Sequence, residues 1–207
     1  MGKRFNAGVR IPEILEHYYQ VIINEGIEGA SIGKVAQHMG IHPSLIIHYF
    51  KNKQNLNVEL AGLIVEKFNS PHFLRFDHIK DLRERFSNLM NMLFSFEWSR
   101  TVHPGVFYAF YYLSFRNDAI QKRFREMFKN FRDYLADEFW FYKKAGIISV
   151  ENPSKAADII ITLIEGLEFH AGFLSNGQTF ESFAESSKNL AITHLKVEPE
   201  ETSKQTG

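Results

Sequence analysis

Between residues 29 and 58 the chain has no aspartate or glutamate, yet it places Lys34, Lys51 and Lys53 there together with His38, His42 and His48. Three lysines and no carboxylate give this stretch a formal charge of +3, inside a 207-residue chain whose net charge is zero. A surface that lies against phosphates gains from cations and loses from carboxylates, so the gap marks where a nucleic-acid backbone is expected to lie. The remaining polar constellations do not assemble into chemistry. Glu165 and Glu168 share a helix face that His170 does not join, and no second imidazole has ligand spacing. His103 sits in a break before Pro104, and the paired Asp137-Glu138 reads as surface. There is no Gly-rich phosphate loop and no Gly-x-Ser-x-Gly elbow. With no cysteine, thiolate metal sites, Cys nucleophiles and disulfides are excluded. No catalytic residue, metal site or cofactor is expected, and an enzyme on this scaffold would need converging polar groups that the sequence does not offer.

The elements that must position the basic stretch are two short amphipathic runs, 31–39 and 43–50, joined by Gly40-Ile41-His42. The Ser31 hydroxyl can cap the first run by accepting from its free backbone N–H groups. Val35, Ala36 and Met39 then recur on one face, and the small Ala36 admits a crossing helix. Gly40 supplies the positive φ of a helix exit, Ile41 plugs the corner, and Pro43 suits a first helical position where no N–H is needed. Ile46 and Phe50, four apart, face inward and leave Ser44, Leu45, Ile47, His48 and Tyr49 partly outward. Two helices crossing at a tight turn form a helix-turn-helix.

With its surroundings this stretch resembles the N-terminal domain of tetracycline-repressor-like (TetR/AcrR) transcriptional regulators. The match runs from Ile14-Leu15 through Gly26, Ser31, Val35-Ala36 and Gly40-Ile41 to His48-Tyr49-Phe50-Lys51-Asn52-Lys53 and Leu56, about a quarter of the chain. His17 and Tyr18 stand where the family usually has small residues, so the packing there must differ. The resemblance implies that Pro43, Ser44, Leu45 and Ile47 approach bases while Tyr49 and Lys53 approach phosphates, with Ile47 standing where the family most often has Tyr. Base edges are usually read by Arg, Lys, Asn or Gln, and residues 43–50 contain none of them. The expectation is therefore a near-palindromic, T-rich operator. Leu45 and Ile47 would meet thymine methyl groups, Ser44 or His48 would make single hydrogen bonds, and Lys34, Tyr49 and Lys53 would hold register, with Ser31 also counted among the DNA-binding residues. Lys3, Arg4 and Arg10 form a basic arm suited to the backbone or minor groove.

The expected fold is all-α, with a helix-turn-helix domain over 1–52, a larger helical ligand and dimer domain over 53–196, and a disordered polar tail over 197–207. Pro12 is read as the start of the first helix and Gly26 as its end. A fourth helix from Asn52 ends at Asn69-Ser70-Pro71, and in the family it links the two domains. Further helices are expected over 79–96, 105–115, 118–145, 154–174 and 180–196. Only Phe5 and Phe50 of the twenty Phe precede residue 55, whereas residues 94–142 hold seventeen aromatic side chains. The family senses small molecules in this domain, so Phe94, Trp98, Phe107, Tyr108, Tyr111, Phe128, Phe131 and Tyr134 are candidates for an apolar or aromatic ligand. The 154–174 helix is apolar nearly all round and must be covered on more than one side. By resemblance it pairs in a homodimer bundle through Ile160, Ile164, Leu167, Ala171 and Leu174.

The N terminus lacks the apolar run of a signal peptide, and residues 159–164, broken by Thr162, are too short to cross a bilayer, so a soluble cytoplasmic protein is expected. Two function classes stand side by side. One is a dimeric DNA-binding regulator, a repressor released by a small hydrophobic effector; the other is a dimeric helical ligand-binding protein whose helix-turn-helix no longer reads DNA.

Overall fold

The computed structural model describes residues 7–69, 76–174 and 176–199. Among them the chain forms α1 (Ala7–Gly29), α2 (Ile32–Met39), α3 (Pro43–Phe50), α4 (Lys53–Asn69) and α5 (Leu82–Leu93). There follow α6 (Phe96–Ser99), α7 (Pro104–Ser114), α8 (Asp118–Lys144), α9 (Pro153–Phe173) and α10 (Phe180–Leu195). No strand occurs among the described residues beyond an isolated antiparallel bridge between Ile148 and Val197. The all-α class is confirmed. No described helix is long and apolar enough to cross a membrane.

The chain divides into two compact units, Met1–Ser70 with Arg100–Phe128, and Pro71–Ser99 with Lys129–Gly207. In the first unit, Ile14, Tyr18, Val35, Ile46, Leu56, Leu60 and Phe110 belong to one continuous buried cluster. Residues 53–69 and 100–128 thus pack with the helix-turn-helix, although the expected functional boundary falls at residue 52. Helix α1 reaches back at least to Ala7, so Pro12 lies inside it rather than at its start. A proline beyond the first turn lacks the N–H of one ladder hydrogen bond and crowds the carbonyl four residues earlier, so it carries a cost at this position. Gly26 does break the helix, with φ 72° and ψ 166°, and a further turn closes as Ala30 N–H donates to the Gly26 carbonyl at 3.0 Å.

In the second unit, the single helix expected over 79–96 is two. Asp81 caps α5 by accepting from the N–H groups of Arg83 and Glu84, and Ser95 caps the short α6 by accepting from Trp98 N–H at 3.0 Å. Both helix starts are set by side-chain oxygens that accept from helix-terminal N–H groups. Arg85 of α5 reaches Glu138 of α8 at 2.6 Å and Asp77 at 3.2 Å, and Arg132 of α8 pairs with Asp158 of α9 at 2.5 Å. The tail expected from Val197 is held over its first three residues. Val197 bridges Ile148, Glu198 N–H donates to the Ile147 carbonyl, and the Arg83 guanidinium donates to the carbonyls of Glu198 and Pro199. Residues 200–207 lie outside the described residues.

Candidate nucleic-acid interface

The basic stretch folds as its residue types dictate. Ser31 is extended and its Oγ accepts from Lys34 N–H at 3.2 Å, opening α2. Val35 and Ala36 are buried, and Gly40 takes φ 63°, ψ 33° in the left-handed region. Gly40 N–H then donates to Gln37 and Ile41 N–H to Ala36, closing the end of α2. His42 caps α3, its Nδ1 accepting from Ser44 N–H, and Pro43 takes the first helical position. Ile46 and Phe50 are buried, which aims Ser44, Ile47 and His48 outward; Ile47 is 46% exposed.

Helix α1 holds this pair from behind through the two residues that depart from small side chains. Tyr18 is buried and its hydroxyl donates to Asn57 Oδ1 of α4 at 2.5 Å. Burial pushes the Tyr18 phenol well above its ordinary range, so it serves as a neutral donor. His17 meets His38 of α2 with their Nδ1 atoms 2.8 Å apart, one ring donating and the other accepting.

The other residues expected at DNA are placed as follows. Pro43 and Leu45 are half-buried at the start of α3, and Tyr49 is half-buried against the core with its ring edge-on to His48 at 5.2 Å. Lys34 is exposed and paired with the Glu25 carboxylate. Lys53 is half-buried and donates to the Ile27 carbonyl at 2.7 Å; burial lowers its pKa, with Glu28 opposing. Arg10 pairs with Glu13 at 2.6 Å. Lys3 and Arg4 lie outside the described residues. Lys51, counted in the basic stretch but given no DNA contact from the sequence, is exposed at φ 68° and donates from Nζ to the His48 carbonyl at 3.1 Å.

The eight residues expected to hold a ligand are drawn from both compact units. Phe107, Tyr108, Tyr111 and Phe128 belong to the first unit, where Tyr108 and Tyr111 are exposed and Phe107 meets Phe68 at 5.7 Å. Phe94, Trp98, Phe131 and Tyr134 belong to the second, where Trp98 stacks on Phe131 at 5.2 Å. Phe94 also lines a cleft of about 270 Å³ with Phe96, Phe180, Ala184, Glu181 and Lys188. Aromatic spacing alone could not separate these sets, because aromatic rings serve core and cleft equally.

The residues expected at a dimer interface divide as well. Ile160, Ile164 and Leu167 are buried within the single chain, Ala171 is half-buried, and Leu174 is 52% exposed. The outward face of α9 is instead the stripe Ile159, Thr162, Gly166, Phe169 and Phe173, with Phe173 72% exposed. Both stripes keep helical spacing and both are rich in apolar residues, so the sequence could not rank them. Among the described residues no group of three or more His, Cys, Asp or Glu side chains is arranged to hold a metal ion.

Two family profiles match the chain. The profile described as bacterial regulatory proteins, tetR family, matches residues 14–60, and that described as tetracyclin repressor-like, C-terminal domain, matches residues 81–197. The HTH-type transcriptional regulator PksA of Bacillus subtilis (strain 168) is 24% identical over 181 residues, covering 83% of this chain and 82% of its own. A putative transcriptional regulator from Saccharomonospora viridis, solved in complex with choline, superposes with a TM-score of 0.80 at 20% identity, over 93% of this chain and all of its own. AibR, solved with isovaleryl coenzyme A and operator DNA, gives a TM-score of 0.66 at 18% identity over 91% of this chain and all of its own.

Proposed function

The chain belongs to the tetracycline-repressor (TetR) family of transcriptional regulators, and on that premise we propose that it is a homodimeric repressor which a small apolar or aromatic effector releases from DNA. The reading head occupies residues 1–52 and the ligand and dimer body 53–196. The observation that carries this reading is the acid-free helix pair, joined through left-handed Gly40 and presenting Ser44, Ile47 and His48 on one outward face of α3. A face with methyl groups, one hydroxyl and one imidazole suits thymine-rich major groove, where apolar contact with the thymine methyl carries sequence information. A dimer presents two such heads to successive major grooves, so the operator is a near-palindrome. The outward stripe of α9, with Ile159, Phe169 and Phe173, is the apolar surface that a second copy would cover.

The effector site lies in the body, and the cleft beside Phe94, Phe96 and Phe180 is its candidate. Two similar structures hold unlike small molecules, choline in one and isovaleryl coenzyme A in the other, which supports an effector without naming it. Release requires the effector to bind the non-DNA conformation more tightly, by the roughly 1–3 kcal/mol typical of allosteric coupling.

Mobility-shift titration against duplexes from the protein's own upstream region, repeated across a salt series, tests the proposal. Ile47→Ala should relax sequence preference, whereas Tyr49→Phe should weaken all sequences alike. Identical effects from both overturn this division of roles, and absence of binding to every duplex favours a helical ligand-binding protein whose head no longer reads DNA.

A further inference from the structure

The stretch that lacks acids in sequence does not lack them in space. Helix α1 breaks at Gly26, and its last turn brings Glu25, Ile27 and Glu28 beside α2 and the start of α4. The ammonium of Lys34 is paired there with the Glu25 carboxylate. The ammonium of Lys53 donates to the Ile27 carbonyl. The third lysine of the stretch, Lys51, is turned onto the His48 carbonyl. All three lysines of the stretch therefore have acceptors inside the chain, and only on Lys34 is the direct acceptor a carboxylate, although Glu28 also acts on Lys53. A carbonyl can share its lysine with a phosphate, whereas a carboxylate on the same lysine repels the phosphate that approaches.

Resting on the reading-head assignment above, we infer that Glu25 stands in for a DNA phosphate on Lys34 and thereby lowers the affinity of the free head for duplexes of any sequence. Both partners of the pair are close to half exposed, at 43% for Lys34 and 46% for Glu25. A pair so exposed to water is held weakly and exchanges readily. When α2 and α3 dock, a backbone phosphate competes for Lys34, and Glu25 either surrenders the ammonium or remains beside the phosphate. The first course costs the ion pair and the second sets a carboxylate beside the phosphate, so either one lowers the net gain from that contact. Because base contacts on α3 are untouched, the penalty falls equally on correct and incorrect sequences. It lowers both affinities by the same factor and leaves their ratio, which Ser44, Ile47 and His48 set, unchanged.

The experiment compares the full-length protein with Glu25→Gln, Lys34→Gln, the double variant, and Glu66→Gln, an exposed carboxylate on α4 that makes the same change in net charge. Each is titrated by fluorescence anisotropy against a short mixed-sequence duplex at several salt concentrations. Glu25→Gln should bind about three- to tenfold more tightly, with the log–log salt slope steeper by about one unit. Glu66→Gln should match the unaltered protein, and Glu25→Gln should add nothing once Lys34 is Gln. Overturning results are an unchanged Glu25→Gln, an equal gain in Glu66→Gln, or a gain that survives the loss of Lys34. Binding by the unaltered protein with no gain in Glu25→Gln removes this inference alone, while silence from every variant on every duplex removes the reading head with it.

Discussion

Helices α3 and α9 are both rich in apolar residues, and they answer differently the question of which side faces in. Helix α3 has eight residues, begins on a proline after a histidine cap, and follows a left-handed glycine. Its phase is set by punctuation within a few residues, so Ile46 and Phe50 must point to the core and Ile47 away from it. Helix α9 has 21 residues with two stripes of suitable spacing, one through Ile160, Ile164 and Leu167 and the other through Ile159, Phe169 and Phe173. Nothing within α9 ranks the two; only what packs against it does. Orientation is a local property in a short helix closed by caps and turns at both ends, and a tertiary one along a long helix whose caps, Asn152 at its start among them, lie far from most of its residues.

The comparison breaks most decisively at α9. Ile160→Ala should destabilise the fold by about 2–5 kcal/mol, because it leaves a cavity at a fully buried site, and should leave the oligomeric state unchanged. Phe173→Ser, on the other stripe, should leave the melting of the protomer nearly unaltered and shift sedimentation toward monomer. Exchange of those two outcomes would mean that the outward and inward stripes have been assigned backwards.

A second test uses the acid beside them. Burial pushes the Glu165 carboxyl up from its ordinary 4.5 to about 7, and the neighbouring Glu168 adds to the rise. The folded chain therefore keeps this proton to a higher pH than the unfolded chain does. Stability from this group is greatest below about pH 4.5, falls as pH rises toward 7, and is lower by about 3 kcal/mol above that. Denaturant titrations of Glu165→Gln should show a flatter profile over this window and a more stable fold at pH 8; an unchanged slope would show that Glu165 is well solvated.

The smallest effect concerns the locally determined helices. Ser31→Ala removes the oxygen that accepts from Lys34 N–H and should lower stability by about 1 kcal/mol, read as a modest fall in melting temperature. A loss several times larger would mean that Ser31 is held by tertiary contacts as well, and that α2 is less autonomous than its punctuation implies.

The same distinction explains what could be read from the sequence. Ser31, Gly40 and Pro43 were interpretable because few residue types supply a capping oxygen, a left-handed φ or a first helical position without an N–H. Pro12 misled, because proline favours a first helical position without being confined to it, and here α1 runs through it. The break between α5 and α6 was visible in principle, since Asp81 stands three residues before Glu84 and Ser95 three before Trp98, but the strong apolar period across 79–96 masked it. The eight aromatic ligand candidates parted into two units because sequence records the presence of rings and not the gaps between them. Lys34 and Lys53 looked available for phosphates because their acceptors, Glu25 and Ile27, lie across a bend that no periodicity describes.

That bend carries one more consequence. Gly26 is exposed, and a Cβ built on it would meet nothing nearer than a Glu28 carboxylate oxygen at 3.8 Å. By crowding alone every side chain would be welcome there. The torsion angles forbid it, because a φ of 72° with a ψ of 166° belongs to a region that only glycine enters without strain. A tolerance map of the whole chain should therefore single out this solvent-facing position as one that behaves like interior, intolerant for want of a conformation and not for want of room.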